Sequence, residues 1–389
     1  MRGKSLVILA FVAVILVAAA MWSREKPQTA RPSDDLLLPD LMTRINSVST
    51  IKFKSADNEF SIQKLENTWG VDQKDGYTAD TEKVRSLLLG MARTKRLEAK
   101  TKNPDLYEKL QLQDIDKEGA QSVHVRLIGD EDTALADVIF GKNQSAKVDP
   151  TQREYYVRVG DDPQSWLVQS DFDLVKDAKQ WLRQEVLVVD ESRIRSAEVI
   201  HEDGTTIKVQ RDSSDETNYT LSDIPESRKI KYEFAVNDVA NSFANLNMDD
   251  VVKADDIDFA DAEKATMQSF DGLQISLETA QKDDVTYARL QAELVDNNTS
   301  EASEEKDENR RSEDDAATDS ERQPTATLKS VEEVKQEIEM LNARWSGWAY
   351  QLPDFELNNI FKPIDELLEE IEQAEGEREP ADGNTSTQN

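Results

Sequence analysis

INSVSTIKFKSADNEFSIQKLENTWGVDQKDGYTADTEKVRSLLLGMARTKRL, residues 45–97, decides the fold, because its plan returns about 150 residues later. The second version reads IRSAEVIHEDGTTIKVQRDSSDETNYTLSD over 194–223 and KYEFAVNDVANSFANL over 231–246. Ile45, Val48 and Ile51 match Ile194, Ala197 and Ile200. Ile62 and Leu65 fall opposite Ile207 and Val209, Trp69 opposite Tyr219, and Tyr77 with Val84 opposite Tyr232 with Val239. Self-similarity of this kind is the mark of an internal repeat. The likeness is one of pattern more than identity, so chance resemblance is the rival; order, spacing and element type all favour duplication.

Within each copy the apolar period changes from two to about 3.6, the change from strand to helix. In the first copy, residues 48–53, 60–65 and 69–71 read as a strand meander broken at Asp57-Asn58. Thr78 or Asp80 then caps a helix whose stripe is Val84, Leu87, Leu88 and Met91. Asn103-Pro104 opens a short helix through Leu106, Tyr107 and Leu110. Strands follow at 123–127, at 134–140 ending at Gly141, at 155–159 and at 166–168, before a helical piece through Trp181 and Leu182.

In the second copy, 198–201 and 205–210 flank the turn Asp203-Gly204, a strong hairpin signal. A helix carries Val236, Val239, Phe243 and Leu246. Leu273 to Leu277 takes the place of Val123 to Leu127, and 285–294 alternates. Ser330 and Glu333 have capping-box spacing and start a helix through Val334, Ile338 and Leu341. Trp348 to Leu357 then echoes Trp166 to Leu174, and a last amphipathic helix holds Ile364, Leu367, Leu368 and Ile371.

The expected fold class is α+β: an N-terminal transmembrane helix, then two tandem repeats of antiparallel meander plus helix, the second carrying a disordered acidic insertion. The boundaries expected are 1–24 for the anchor, 25–40 for a proline-bearing tether and 41–190 for the first repeat. The second repeat begins at 191–295, is interrupted by the acidic stretch 296–329, and closes at 330–372 before a tail at 373–389.

No charge occurs from Ser5 to Trp22, a run that as a helix spans about 27 Å, near the hydrocarbon thickness of a bilayer. Arg2 and Lys4 precede it and Trp22 closes it, which places the amino terminus in the cytoplasm and the body in the periplasm, held to the inner membrane. The alternative is a signal peptide cleaved near Ala20, since Ala18-Ala19-Ala20 offers an A-x-A site. Both readings export the body.

The net charge is −32, which repels nucleic-acid phosphates and anionic lipid alike. With no cysteine, disulfides, thiolate metal sites and cysteine nucleophiles are excluded. The only histidines, His124 and His201, read as strand residues rather than as metal or catalytic groups. Asp255 to Asp261 lacks the glycine and terminal glutamate of an EF-hand loop and reads as a solvated acidic turn. Trp166, Trp348, Tyr350 and Phe355 read as core before groove. There is no Walker loop, no G-x-G-x-x-G and no G-x-S-x-G. Catalytic, cofactor-binding and metal-binding residues are therefore all expected to be none.

With these features together, the chain resembles the domain-of-unknown-function family DUF4340. The resemblance is carried by the single apolar N-terminal run, Ile45-Asn-Ser-Val48 leading into the meander, and Trp69-Gly-Val71. It continues through Gly76-Tyr77-Thr-Ala79-Asp80 with the helix to Met91, and Asn103-Pro104-Asp-Leu106-Tyr107. It covers most of 45–182 and, more loosely, the second repeat. Members of that family are typically encoded beside the permease and ATPase of a gliding-motility-type ABC transporter. The resemblance thus implies a non-enzymatic accessory subunit facing the periplasm, with the permease and auxiliary subunits as partners and no active-site residue to carry over. The alternative is an envelope hydrolase working through two carboxylates, or a glycan- or peptide-binding protein, which requires acidic residues converging in a cleft.

Overall fold

The computed structural model describes residues 36–146, 149–296 and 328–371. The chain divides into two compact units, Met1–Trp181 and Leu182–Asn389.

In the first unit, β1 (Thr50–Lys54) and β2 (Glu59–Lys64) pair antiparallel with Ile51 opposite Ile62 and Phe53 opposite Phe60. Ile51, Phe53, Phe60 and Ile62 are buried while Lys52 and Lys54 face water, the alternation that specifies register. The Phe53 and Phe60 rings stack at 4.5 Å, and Trp181 closes over Phe53 at 5.2 Å. Burying each such ring stabilises by about 1.5–3 kcal/mol. Strands β3 (Trp69–Val71) and β4 (Tyr77–Thr78) complete the meander. The helix α1 (Thr81–Arg93) starts where the Asp80 carboxylate accepts the backbone N–H groups of Glu82 and Lys83. It buries Val84, Leu87, Leu88 and Met91. Then come β5 (Lys95–Ala99), β6 (Val123–Ile128), β7 (Ala134–Ser145), β8 (Arg153–Val159) and β9 (Ser165–Ser170). The sheet runs β4-β3-β2-β1-β6-β7-β8-β9-β5.

The second unit opens with β10 (Glu185–Val188), then β11 (Ile194–Ile200), β12 (Thr206–Gln210), β13 (Thr220–Leu221) and β14 (Arg228–Ile230). After α2 (Glu233–Asn241) follow β15 (Asn245–Asn247), β16 (Asp250–Lys253), β17 (Glu263–Ser269), β18 (Leu273–Lys282) and β19 (Val285–Leu294). The helix α3 (Val331–Trp345) leads to β20 (Trp348–Gln351), α4 (Asp354–Ile360) and β21 (Leu368–Glu370). Its main sheet runs β13-β12-β11-β17-β18-β19-β20-β16. That is the strand order of the first unit, position for position, once the short edge strand β4 is set aside. In both units a strand that follows the helix, β5 after α1 and β16 after α2 and β15, crosses to the far edge and pairs with the last strand of the sheet.

Several expectations need correction. The molecule is mostly β-sheet with few helices, not α+β. Only α1, α2 and α3 exceed eight residues among the described residues. The segment after Asn103 forms two 3-10 turns, Pro104–Leu106 and Glu108–Leu110, and Ala178–Trp181 is another, because neither apolar run covers two helical turns. The helix expected to reach Leu246 stops at Asn241, and Leu246 goes into β15 against β10. The last helix ends at Leu367, where Leu368 begins pairing with β14.

The strand at 134–140 does not end at Gly141 but continues to Ser145. The described residues include part of the expected tether, with the Leu37 N–H donating to the Thr94 carbonyl at 2.8 Å. Leu37 is buried. The transmembrane helix expected from Ser5 to Trp22 lies outside the described residues. Among the described residues no helix is long and apolar enough to cross a membrane. Most of the acidic insertion and the tail at 373–389 also lie outside them.

Candidate functional site

A cleft in the second unit has a volume of about 720 Å3. One wall is the end of the β11–β12 hairpin. Gly204, at φ +83°, makes the turn, and its N–H donates to the His201 carbonyl at 2.9 Å. The hairpin thus presents His201 and Glu202. The turn between β16 and β17 brings Asp258 and Asp261, and the first residue of β17 brings Glu263, paired in register with Thr279 of β18. The third wall is α4 with the residues after it: Asp354, Leu357, Asn358, Phe361 and Pro363.

The lining holds five carboxylates and no lysine or arginine, so it favours a cationic or hydroxyl-rich ligand over an anionic one. The His201 Nδ1 lies 3.3 Å from a Glu263 carboxylate oxygen, and the ring meets the edge of Phe361 at 6.4 Å between centroids. Its Nε2 is buried without a hydrogen-bond partner. The Asp258 carboxylate accepts the Ala260 N–H at 3.0 Å, holding that turn in shape. Cations stand outside the lining: Lys264 and Arg289 both pair with Glu278, and the Arg289 guanidinium lies 4.4 Å from the Phe259 ring centroid.

Chemically the His201–Glu263 pair can exchange a proton with a bound group. No serine lies in the lining, and the chain has no cysteine, so nucleophilic chemistry there would fall to Thr279, Thr286 or a carboxylate. Among the described residues no group of three or more His, Asp or Glu side chains is arranged to hold a metal ion.

The titratable groups with displaced pKa values sit elsewhere. Burial pushes the Glu356 carboxyl up to about 7, against the lowering effect of the Asn247 N–H and with the Asp249 charge adding to the rise. Glu356 is 6% exposed, and both its oxygens lie 3.2 Å from the Asn247 nitrogen. It does not line the cleft. Arg193, at the start of β11, is clamped between Asp271 and Glu337 in the interior of the unit.

Of the residues singled out in the sequence, His201 is not a strand residue. It lies just beyond β11 and lines the cleft. His124 is in β6, against Asp137 at 2.5 Å. The acidic turn from Asp255 begins as a 3-10 turn, Ala254–Asp256, and then sends Asp258 and Asp261 into the cleft. Tyr350 is fully buried, Trp166 and Trp348 are half-buried, and Phe355 is 65% exposed. None of the four lines the cleft, whereas Phe361 does. The cleft escaped sequence reading because its lining comes from four stretches, 201–202, 258–263, 279–286 and 354–363, in a chain where carboxylates are everywhere. Phe361-Lys-Pro363, a break between helical patterns, was the one local signal.

A model of the family described as "Domain of unknown function (DUF4340)" matches residues 69–269, more than half of the 389-residue chain. The match runs from β3 of the first unit to the end of β17 in the second. No curated protein and no solved structure matches the chain.

Proposed function

The chain belongs to the DUF4340 family, and on that premise we propose that it is a non-enzymatic accessory subunit of an ABC-type, gliding-motility-like export complex. Its body would sit in the periplasm, against the inner membrane. The observation that carries the reading is the pair of sheets with one strand order. A duplicated β framework supplies two related surfaces for contact, while in the acid-lined cleft the His201–Glu263 pair has no serine or cysteine nucleophile beside it. The carboxyl with the raised pKa, Glu356, faces the Asn247 backbone and not the cleft. The uncharged run from Ser5 to Trp22 supports export of the body.

An exposed stacked pair adds a contact surface. Tyr232 and Phe234 lie 5.2 Å apart between centroids and are 51% and 64% exposed. Aromatic side chains of this kind are enriched where proteins meet. Solubilisation in mild detergent followed by affinity purification should bring down a permease and its ATPase in stoichiometric amount. Recovery of the protein alone, under conditions that keep the transporter intact, would remove this reading.

A second reading, glycan or peptide binding or carboxylate-based hydrolysis in the envelope, draws on the acid-lined cleft beside His201. Under it, Glu263→Gln would abolish binding or turnover of peptidoglycan fragments or peptides. Absence of any such activity in the unaltered protein would end it.

A further inference from the structure

A second and chemically opposite niche lies in the first unit, with a volume of about 200 Å3. Four pieces of chain meet there: the last residue of α1, the first of β5, the residue before β8, and the end of β9. They contribute Arg93, Lys95, Gln152, and Gln169 with Ser170, and Asp171 sits on the rim. The register explains the convergence, since Lys95 lies opposite Gln169 and Arg153 opposite Ser170.

Ser170 is the informative residue. It is 4% exposed, and its hydroxyl oxygen is buried with no hydrogen-bond partner. A buried hydroxyl without a partner is costly, and the nearby side chains are chiefly donors. Lys95 has no acidic partner among the described residues, and Arg93 reaches Asp171 only at 3.9 Å, with both side chains at least half exposed.

We propose that this niche binds a carboxylate group: the Arg93 guanidinium and Lys95 ammonium supply the charge, and the Ser170 hydroxyl supplies a buried donor. The planar Arg93 fork matches two oxygens of a carboxylate or of a phosphate, and two features select the carboxylate. The Asp171 charge and the carboxyl end of α1 repel a doubly charged group. The volume admits an end group and not a large headgroup. The carboxylate can come from a small organic acid or from the C-terminus of a peptide. This site does not depend on the proposed role in export, and it is independent of the acidic cleft.

The test titrates the full chain calorimetrically with sodium acetate, with a free-carboxyl trialanine and with its C-terminal amide. Saturable binding of acetate or of the free-carboxyl peptide supports the proposal, and whichever binds more tightly identifies the source. The double variant R93A/K95A should weaken binding by about tenfold or more, the loss expected for charge-assisted hydrogen bonds. Asp171→Asn should tighten it by roughly two- to fivefold as the rim charge is removed. A merely structural cluster would not show that gain. Absence of saturable binding, equal binding of the amide, or affinity unchanged in R93A/K95A would overturn the assignment. Circular dichroism of each variant confirms that the fold is intact.

Discussion

Lys253 and Trp348 stand opposite each other across β16 and β20, with the ammonium 3.6 Å from the centre of the indole ring. The first unit has a related contact on the corresponding pair of strands, reached diagonally, since Arg96 lies opposite Val168 and Trp166 opposite Ala99. There the Arg96 guanidinium of β5 lies 5.0 Å from the ring of Trp166 on β9. Two edge strands that cross the whole sheet are thus each fastened by a cation on an indole.

Removing the cation should loosen the edge. Lys253→Ala is expected to cost about 1 kcal/mol, the usual worth of a partly exposed cation–π contact, and Lys253→Arg should restore most of it. Arg96→Ala should cost more, because Arg96 also donates to the Leu37 carbonyl at 3.1 Å. Urea unfolding midpoints of the three variants check the order.

The buried triad of Arg193, Asp271 and Glu337 gives a larger effect. The guanidinium meets Asp271 at 2.7 Å and Glu337 at 2.8 Å, with side-chain exposures of 5%, 1% and 11%. Arg193→Met leaves Asp271 buried without its cation and Glu337 with Lys329 alone, and should cost about 3–5 kcal/mol. Burial alone would raise both carboxyls. Arg193, with Ser269 at Asp271 and Lys329 at Glu337, outweighs burial and holds both below the ordinary carboxylate range. Their folded pKa values are depressed, so this stability is present above the unfolded carboxylate pKa and is lost as pH falls through the folded values. Unfolding free energies between pH 7 and pH 3 should fall for the unaltered protein. In Arg193→Met that acid dependence should shrink.

Glu356 runs the other way. Its folded pKa, pushed up to about 7, lies above its unfolded value. Its contribution is therefore fully present below the unfolded pKa and is lost as pH rises through about 7. Glu356→Gln keeps an acceptor for the Asn247 N–H and cannot ionise. The variant should gain on the unaltered protein between pH 5 and pH 8, read as a rising difference in denaturation midpoint. A constant difference across that range would contradict it.

Gly141 lies where β7 passes the 3-10 turn Glu108–Leu110. A methyl group on its Cα would stand 2.3 Å from the Leu110 carbonyl oxygen and 2.7 Å from that of Gln111. Backbone cannot step aside as a side chain can. Gly141→Ala is expected to cost about 2–3 kcal/mol, measured by thermal unfolding. An Ala at Gly204, where nothing lies within 4 Å, would suffer only the φ strain of the turn.

The strands were legible because each strong one alternates: Ile51 and Phe53, or Leu273, Ile275 and Leu277, are buried while their neighbours are less so. The pairing of Trp69 with Tyr219 also agrees with the register, since Val71 lies opposite Ile62 and Leu221 opposite Val209. Elsewhere the alignment of the two copies slipped, by two residues at Ile62, which this register sets against Val209 rather than Ile207, and by three at the start of each copy. The 3-10 turns Ile45–Ser47 and Glu191–Arg193 precede β1 and β11, so Val48 answers Ile194 and Ile51 answers Ala197. Matching Ile51 with Ile200 set a fully buried residue against one 42% exposed.

The helix shows the same slip, with Val84, Leu87, Leu88 and Met91 answering Val236, Val239, Ala240 and Phe243, all buried. Strand β17 was passed over because Ala265, Met267 and Ser269 make a weak apolar face. Leu273 to Leu277 therefore took the place of Val123 to Leu127, although β18 is the counterpart of β7 and β17 that of β6. The cleft was not legible at all, since it depends on which distant carboxylates the sheet order brings together.

The central claim is that this duplicated β body works outside the cytoplasm, and the absence of cysteine makes it directly measurable. Thr217, exposed between β12 and β13, can be changed to Cys in the full chain and challenged with a membrane-impermeant maleimide in cells whose outer membrane alone is permeabilised. The account predicts labelling without lysis of the inner membrane. Labelling that appears only after lysis would contradict it.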